Sequence, residues 1–314
     1  MSKSGSWLAG FWTGSCWLAG YASDNSKLIH SSQERWQQLE AGMQVPSVLR
    51  AMNAWYGLGP AITLAGDYQA ISLAFQYSEV LANSVAPWGG LAVGTAMGGG
   101  DAGDYRINID PLAAIIGLFE QCDKSVLAQQ HLDLSVAHLF TREGDVYTHR
   151  DWLKHDTEKL CHVESEPNFW PRGQSWGLLG ASVAASRISS CHLSLAERCC
   201  ERWWQKYQDN LPLVKNSKDI QMSDPSAAVI AVIAMFKLAD LQLNKVLWQQ
   251  RAHAILTRVI RSSYLSHDTH GLRFTGCHYQ IKLNQYGMTE MAYGYFFLLQ
   301  ALLIATNKIS AIDF

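Results

Sequence analysis

Pro225-Ser226-Ala227-Ala228-Val229-Ile230-Ala231-Val232-Ile233-Ala234-Met235-Phe236 is apolar at almost every position and then meets Lys237. Through residues 226–241 the apolar side chains recur at three- and four-residue spacing, the period of an α-helix, and a helix that is apolar on all sides has to be buried on all sides. Ser31-Ser32-Gln33-Glu34-Arg35-Trp36-Gln37-Gln38-Leu39-Glu40 keeps the same period but carries a polar face. Two kinds of helix predict two layers, one enclosed and one facing solvent, a pattern compatible with a double ring of helices.

The helical period also predicts helices over residues 25–43, 68–85, 111–139, 172–187, 193–208, 246–264 and 291–306, whereas alternating strand patterns are weak and confined to loops such as residues 272–283. Asp110-Pro111 and Asp224-Pro225 each set an acid before a proline where a helix should start, the acid reading as an N-cap. Neither a linker, a low-complexity tract nor a shift in composition interrupts the chain, which predicts one all-α domain over residues 1–314.

Among 314 residues with a formal net charge of -2 there is no Lys/Arg-rich run that could track phosphates, which argues against a nucleic-acid partner. Twelve Trp, twelve Tyr and ten Phe suit sugar stacking as well as an aromatic core. The seven cysteines form an odd set without a C-x-x-C pair, so neither a disulfide framework nor a zinc site is expected, and a reduced, cytoplasmic setting fits. Lys3 and the apolar residues 7–21 imitate a secretory signal only faintly, because Gly, Thr, Ser and Trp make a poor signal core. The most apolar run, residues 227–236, is too short to span a bilayer, so no membrane partner is expected.

Trp170-Pro171-Arg172-Gly173-Gln174-Ser175-Trp176 concentrates one guanidinium, one amide and two indoles at a predicted helix start. A guanidinium pairs with a carboxylate through two parallel hydrogen bonds, an indole offers a flat face to a pyranose, and Gln both donates to and accepts from hydroxyls. The set fits a sugar acid, and it equally fits a core in which both indoles are packed and Pro171 holds the first helical position. Gly98-Gly99-Gly100-Asp101-Ala102-Gly103 satisfies G-x-G-x-x-G, but neither a preceding strand nor a βαβ unit supports dinucleotide binding. His131 and His138, with Asp133 between them, lack H-E-x-x-H spacing, so neither metal nor cofactor is expected.

That heptapeptide resembles the W-x-R-G-Q-[AS]-W segment of unsaturated glucuronyl hydrolases, family 88 of the glycoside hydrolases, and of the related unsaturated rhamnogalacturonyl hydrolases. Further stretches match in the same order. Trp7-Leu8-Ala9-Gly10-Phe11-Trp12-Thr13-Gly14 with Trp17-Leu18-Ala19 is similar to G-F-W-x-G-x-x-W-L-A, and Ile107-Asn108-Ile109-Asp110 to the I-D-N segment carrying the catalytic aspartate. Residues 142–149 resemble R-x-D-G-S-x-x-H, Asp224-Pro225-Ser226-Ala227-Ala228 resembles D-S-S-A-A, and residues 295–302 resemble Y-F-Y-L-E-A-L.

The resemblance implies an (α/α)6 barrel with its site at one mouth, and hydration of the C4–C5 double bond at the non-reducing end of an unsaturated uronic-acid oligosaccharide. It implies Asp110 as the catalytic acid, and Trp12, His149, Arg172, Gln174 and Trp176 as substrate-binding residues, with His162 and Glu164 as weaker candidates. Two departures stand out. The family has a helix before its G-F-W segment, so this barrel is either one N-terminal helix short or starts further upstream. The family's H-D-x-G-F segment falls on Tyr56-Gly57-Leu58-Gly59-Pro60, which sets Gly57 where a second acid is expected, with Asp67, Asp101 and Asp104 as nearby substitutes. A degenerate relative that binds sugar acids without catalysis, and a related sugar-acid hydrolase or isomerase on the same barrel, are the competing expectations.

Overall fold

A computed structural model of the chain describes residues 6–153, 156–160, 170–215, 221–241, 244–269, 271–282 and 285–314. Twelve α-helices lie among them: α1 (Ala9–Ala22), α2 (Ser26–Glu34), α3 (Trp36–Gly42), α4 (Arg50–Ala65), α5 (Tyr68–Ala82), α6 (Leu112–Gln121), α7 (Ser125–Leu139), α8 (Pro171–Arg187), α9 (Leu193–Tyr207), α10 (Pro225–Leu241), α11 (Lys245–Ile260) and α12 (Ala292–Ala305). None is long and apolar enough to cross a membrane.

The apolar helices form a closed inner ring in the order α1, α4, α6, α8, α10, α12, with α12 packing back onto α1. After each of the first five, the chain returns along the outside as α2–α3, α5, α7, α9 or α11, packed against the inner helix it follows. The architecture is an (α/α)6 barrel, and among the described residues it carries five outer positions to six inner ones. The contrast between layers follows from sequence. On α10 every residue from Pro225 to Ala239 is buried, whereas α9 buries one stripe of Leu195, Ala196, Cys199, Cys200, Trp203 and Tyr207. Aromatic rings fill the centre: Phe11 stacks on Tyr56 at 4.5 Å and meets Phe296 and Phe297 edge-on or tilted at 5.6 and 5.7 Å.

Two long helical readings divide. The run predicted over residues 111–139 is two antiparallel helices, broken where Asp123 takes φ 57. That over residues 25–43 breaks at Arg35. Helices α1 and α4 escaped the periodic reading because glycine, with Pro60 inside α4, lowers their helix propensity. Packing explains those residues. A Cβ at Gly10 would lie 2.4 Å from the Asn53 carbonyl oxygen, and one at Gly14 only 2.0 Å from that of Tyr56. Pro60 has no N–H to offer Tyr56 four residues back, so this carbonyl is free to face Gly14 across the crossing. Gly57 belongs to the same crossing, since a Cβ there would come within 2.9–3.0 Å of Leu39, Thr13 and Gly10.

Among the described residues nine short strands, β1 (Arg106–Asn108), β2 (His149–Leu153), β3 (Asp156–Leu160), β4 (Leu213–Lys215), β5 (Gln221–Ser223), β6 (Leu265–Asp268), β7 (Gly271–Phe274), β8 (Cys277–Lys282) and β9 (Gln285–Thr289), pair antiparallel in small sheets. β8, and β7 from its second residue on, fall within the weak strand signal of residues 272–283. The connections at the starts of the inner helices carry β1–β2 and the β4–β5 and β8–β9 hairpins, and this end is the mouth. The opposite end is closed by residues after α12. Lys237 lies about 18 Å along α10 from Pro225 at 1.5 Å per residue. It is 1% exposed, and its ammonium donates to the carbonyls of Ala311 (2.6 Å) and Phe314 (2.7 Å).

Substituting Gly14 by Ala should cost roughly 3 kcal/mol or more in denaturant unfolding, because α1 cannot keep its distance from Tyr56. Gly59→Ala, whose Cβ would meet nothing closer than 3.8 Å, should be neutral or stabilising by up to about 1 kcal/mol. Burial, assisted by Arg187, pulls the Lys237 pKa from 10.5 to about 7. Between those values the unfolded chain binds the extra proton, so this group's stabilising contribution is present above pH 10.5 and lost as pH falls to about 7. Melting temperatures from pH 7 to 10.5 should therefore rise more steeply, or fall less, in the native protein than in Lys237→Met.

Candidate active site

Three neighbouring inner helices begin in the same way. Asp110-Pro111, Trp170-Pro171 and Asp224-Pro225 stand at the starts of α6, α8 and α10, where a proline's missing N–H costs nothing. Because these helices run in the same direction round the ring, Asp110, Arg172 and Asp224 arrive together at the mouth.

The strands before α6 hold Asp110. Its N–H donates to Asn108 Oδ1 at 2.6 Å, and the N–H of Ile109 donates to the Thr148 carbonyl at 3.0 Å. In the β1–β2 register Asn108 faces His149, which brings the histidine beside the same turn. Helix α6 starts one residue later than an aspartate cap requires, with Pro111 at the cap and no side chain bonded to the free N–H groups. The carboxyl of Asp110 is thus left for another use. The residue is half-buried, and its Oδ1 is shut from solvent with no hydrogen-bond partner among the described residues. Desolvation pushes its pKa up from 3.8 to about 7, against the opposing pull of the Arg172 charge.

Arg172, 6% exposed, opens the first turn of α8. Its Nη1 donates to Asp224 Oδ2 at 2.7 Å and to the His278 carbonyl on β8 at 2.9 Å. Its guanidinium lies 4.6 Å from the ring centre of Trp170 and 5.2 Å from that of Tyr293. Trp7 in turn stacks on Tyr293 at 5.6 Å. Burial works against the charge on Arg172, but Asp224, with Tyr293, Cys277 and Asp110, holds its pKa above the ordinary guanidinium value. Burial and the nearby Arg106 keep His149 below the usual histidine pKa, so it is mainly neutral at pH 7.

Asp110, His149 and Arg172 therefore come to one end of the barrel, while the other residues singled out in the sequence do not line it. Gln174 donates from Nε2 to the Val146 carbonyl at 2.6 Å and accepts the Val146 N–H at 3.1 Å, so its amide ties the segment before His149 to α8. Trp176, one turn below Arg172 and 1% exposed, packs on Phe297 at 5.4 Å in the central aromatic core. Trp12 points to the outer layer, where Arg35 covers its ring at 4.1 Å, and Trp7 takes the place at the mouth instead. Gly57 is a helix-packing glycine with no room for an acid. Asp67 caps α5 through the N–H groups of Gln69 and Ala70, and Asp101 and Asp104 are exposed. The second carboxylate at the mouth is Asp224, legible in the sequence only as a helix start. His162 and Glu164 lie outside the described residues.

Among the described residues no group of three or more His, Cys, Asp or Glu is placed to hold a metal ion. His131 is buried with Nδ1 accepting the Leu91 N–H at 3.2 Å, and His138 packs edge-on against Trp152.

No family model and no curated protein matches the chain. Solved structures do. The unsaturated glucuronyl hydrolase of Bacillus sp. GL1, responsible for glycosaminoglycan degradation, superposes with a TM-score of 0.81 at 16% identity, over 97% of this chain and 87% of that one. A family 105 glycoside hydrolase of C. acetobutylicum ATCC 824 gives 0.74 at 11% identity, over 98% and 96% of the two chains. An unsaturated glucuronyl hydrolase variant from Streptococcus agalactiae, complexed with dGlcA-GalNAc6S, gives 0.70 at 15% identity, over 98% and 82%. At such identities the likeness establishes the shared helical-barrel fold.

The desolvated carboxyl carries a stability signature. Between pH 3.8 and about 7 the folded protein holds a proton on Asp110 that the unfolded chain has released, so stability falls as pH rises through this window. Asp110→Asn carries no charge to bury. Thermal melts should show it level with the native protein near pH 4 and more stable by a few degrees at pH 7.5.

Proposed function

We propose that the protein is a hydrolase of unsaturated uronic-acid oligosaccharides, acting by hydration of the C4–C5 double bond of the non-reducing-end uronate. The observation that carries this reading is the desolvated carboxyl of Asp110, whose Oδ1 has no hydrogen-bond partner among the described residues, beside the buried Arg172. The superposed glucuronyl hydrolases support it by sharing the barrel.

The chemistry asks for one group that gives a proton and then takes one back. In a C4–C5 unsaturated uronate the double bond is conjugated with the ring oxygen, so a proton delivered to C4 leaves positive charge shared between C5 and that oxygen. A carboxylic acid with a pKa near 7 is substantially protonated at neutral pH, and once ionised it is basic enough to activate water. Water adds at C5 and its second proton returns to Asp110, so the net change is addition of one water across the double bond. The C5 hemiketal then opens to a ketone. C1 is left as a hemiacetal, which collapses to an aldehyde and releases the remaining saccharide as an alcohol.

Arg172 is suited to the uronate carboxylate. Its hydrogen bonds among the described residues run through Nη1 alone, which leaves the other N–H groups of the fork for a ligand. Trp7, Trp170 and Tyr293 supply aromatic surface around it. His149, neutral and next to the Asp110 turn, is placed to bind a sugar hydroxyl or the water. The chain is taken to act as a single catalytic domain that needs no cofactor.

Asp110→Asn should lower turnover of an unsaturated disaccharide by roughly two to four orders of magnitude with binding largely kept. The readout is loss of the ultraviolet absorbance of the conjugated double bond. Near-native turnover in a folded variant would remove Asp110 from the mechanism. Native protein that binds the sugar yet never consumes the double bond would instead identify a sugar-acid binder on a catalytic fold.

A further inference from the structure

Asp224 is fully enclosed, and its two oxygens are both engaged. Oδ2 accepts from Arg172 Nη1 at 2.7 Å, and Oδ1 accepts the Ser226 hydroxyl. The side chain of Asp224 is 0% exposed and that of Arg172 8%. The backbone around Asp224 is pinned on two sides: its N–H donates to the Pro212 carbonyl at 2.8 Å, and the N–H of Ser226 donates to that of Gly276 at 2.9 Å. The carboxylate therefore has one position available, and it fixes where the guanidinium lies.

The other titratable groups of this corner carry little charge near neutrality. Burial lowers the pKa of His278 on β8, and burial with Arg106 lowers that of His149 on β2. Burial raises that of Tyr293 on α12 well above the phenol value and that of Cys277 to about 12. Arg106 on β1 is paired with Asp151 on β2 at 2.7 Å, and Arg172 from α8 is the charge that pulls on Asp110, with Asp224 from α10 in contact with that guanidinium. A lone buried cation would draw the proton off Asp110; a cation neutralised at contact distance does so far less.

We propose that Asp224 is a positioning residue of the site, which holds the guanidinium of Arg172 in the orientation that receives a carboxylate and screens Asp110 from the arginine's charge. This rests on the functional reading above for its link to turnover, but not for its electrostatics.

Asp224→Asn separates the two, because the amide oxygen can still accept from Arg172 while the negative charge is gone. Titration of Asp110 followed by carbon-13 NMR of its labelled carboxyl should move to lower pH by about one unit or more. The upper limb of the pH profile for hydration of an unsaturated disaccharide should move with it. Asp224→Glu keeps the charge but displaces the carboxylate, so the Asp110 midpoint should stay while KM rises roughly tenfold. An unchanged Asp110 midpoint in folded Asp224→Asn, or an unchanged KM in Asp224→Glu, overturns the proposal; if the Asn variant fails to fold, the Glu variant alone decides it. Absence of turnover in the native protein would sink the hydrolase reading and leave the NMR titration as the test of Asp224.

Discussion

The ion pair between Arg172 and Asp224 is the constraint on which the mouth of the barrel depends. A cation enclosed at the top of an apolar ring is tolerable only with a partner in contact, and a buried pair of this kind is unforgiving if either member is lost. It also ties three parts of the chain together, since Arg172 belongs to α8, Asp224 to the start of α10 and the second acceptor, the His278 carbonyl, to β8. The pair's net contribution to stability need not be large. Its consequence is geometric: one side chain orientation is selected at the place where a ligand would enter.

The fold separates its polar chemistry by end. The inner helices start at the mouth, and the groups before their first turns carry Asp110, Trp170 and Asp224; further along, the ring is closed by aromatic and aliphatic packing. At the far end the C-terminal residues 306–314 cover the barrel, with Ile309, Ala311 and Phe314 buried and Lys237 bonded to two of their carbonyls. Each end thus contains a desolvated titratable group with a pKa near 7, an acid at the mouth and a base at the foot. They respond to burial in opposite senses, because desolvation favours the neutral form of each.

Periodicity located the outer helices and the most apolar inner ones, and it could separate the layers because burial on one side or on all sides is written in composition. It joined α6 to α7, since nothing in Asp123 announces a left-handed residue, and it passed over α1 and α4, whose glycines serve a crossing with a partner far away in sequence. Within the heptapeptide from Trp170 to Trp176, Arg172 lies at the mouth, but residues two and four places further round a fully buried helix face other neighbours. Gln174 and Trp176 share the motif with Arg172 without sharing its exposure to the mouth.

By itself, then, the sequence determined the class of fold and the two-layer arrangement, because helical period and all-round apolarity are local properties of the chain; the acid-proline pairs marked helix starts, and the resemblance alone singled out Asp110 as the candidate acid. Only the tertiary structure decided that Asp110 leaves its helix uncapped, that Trp7 rather than Trp12 faces the mouth, and that the second carboxylate is Asp224 bound to Arg172. Those outcomes depend on which side of a helix meets which neighbour, and on how much water is removed when the ring closes. Desolvation and ion pairing arise between residues tens of positions apart, so they exist only once the barrel has formed.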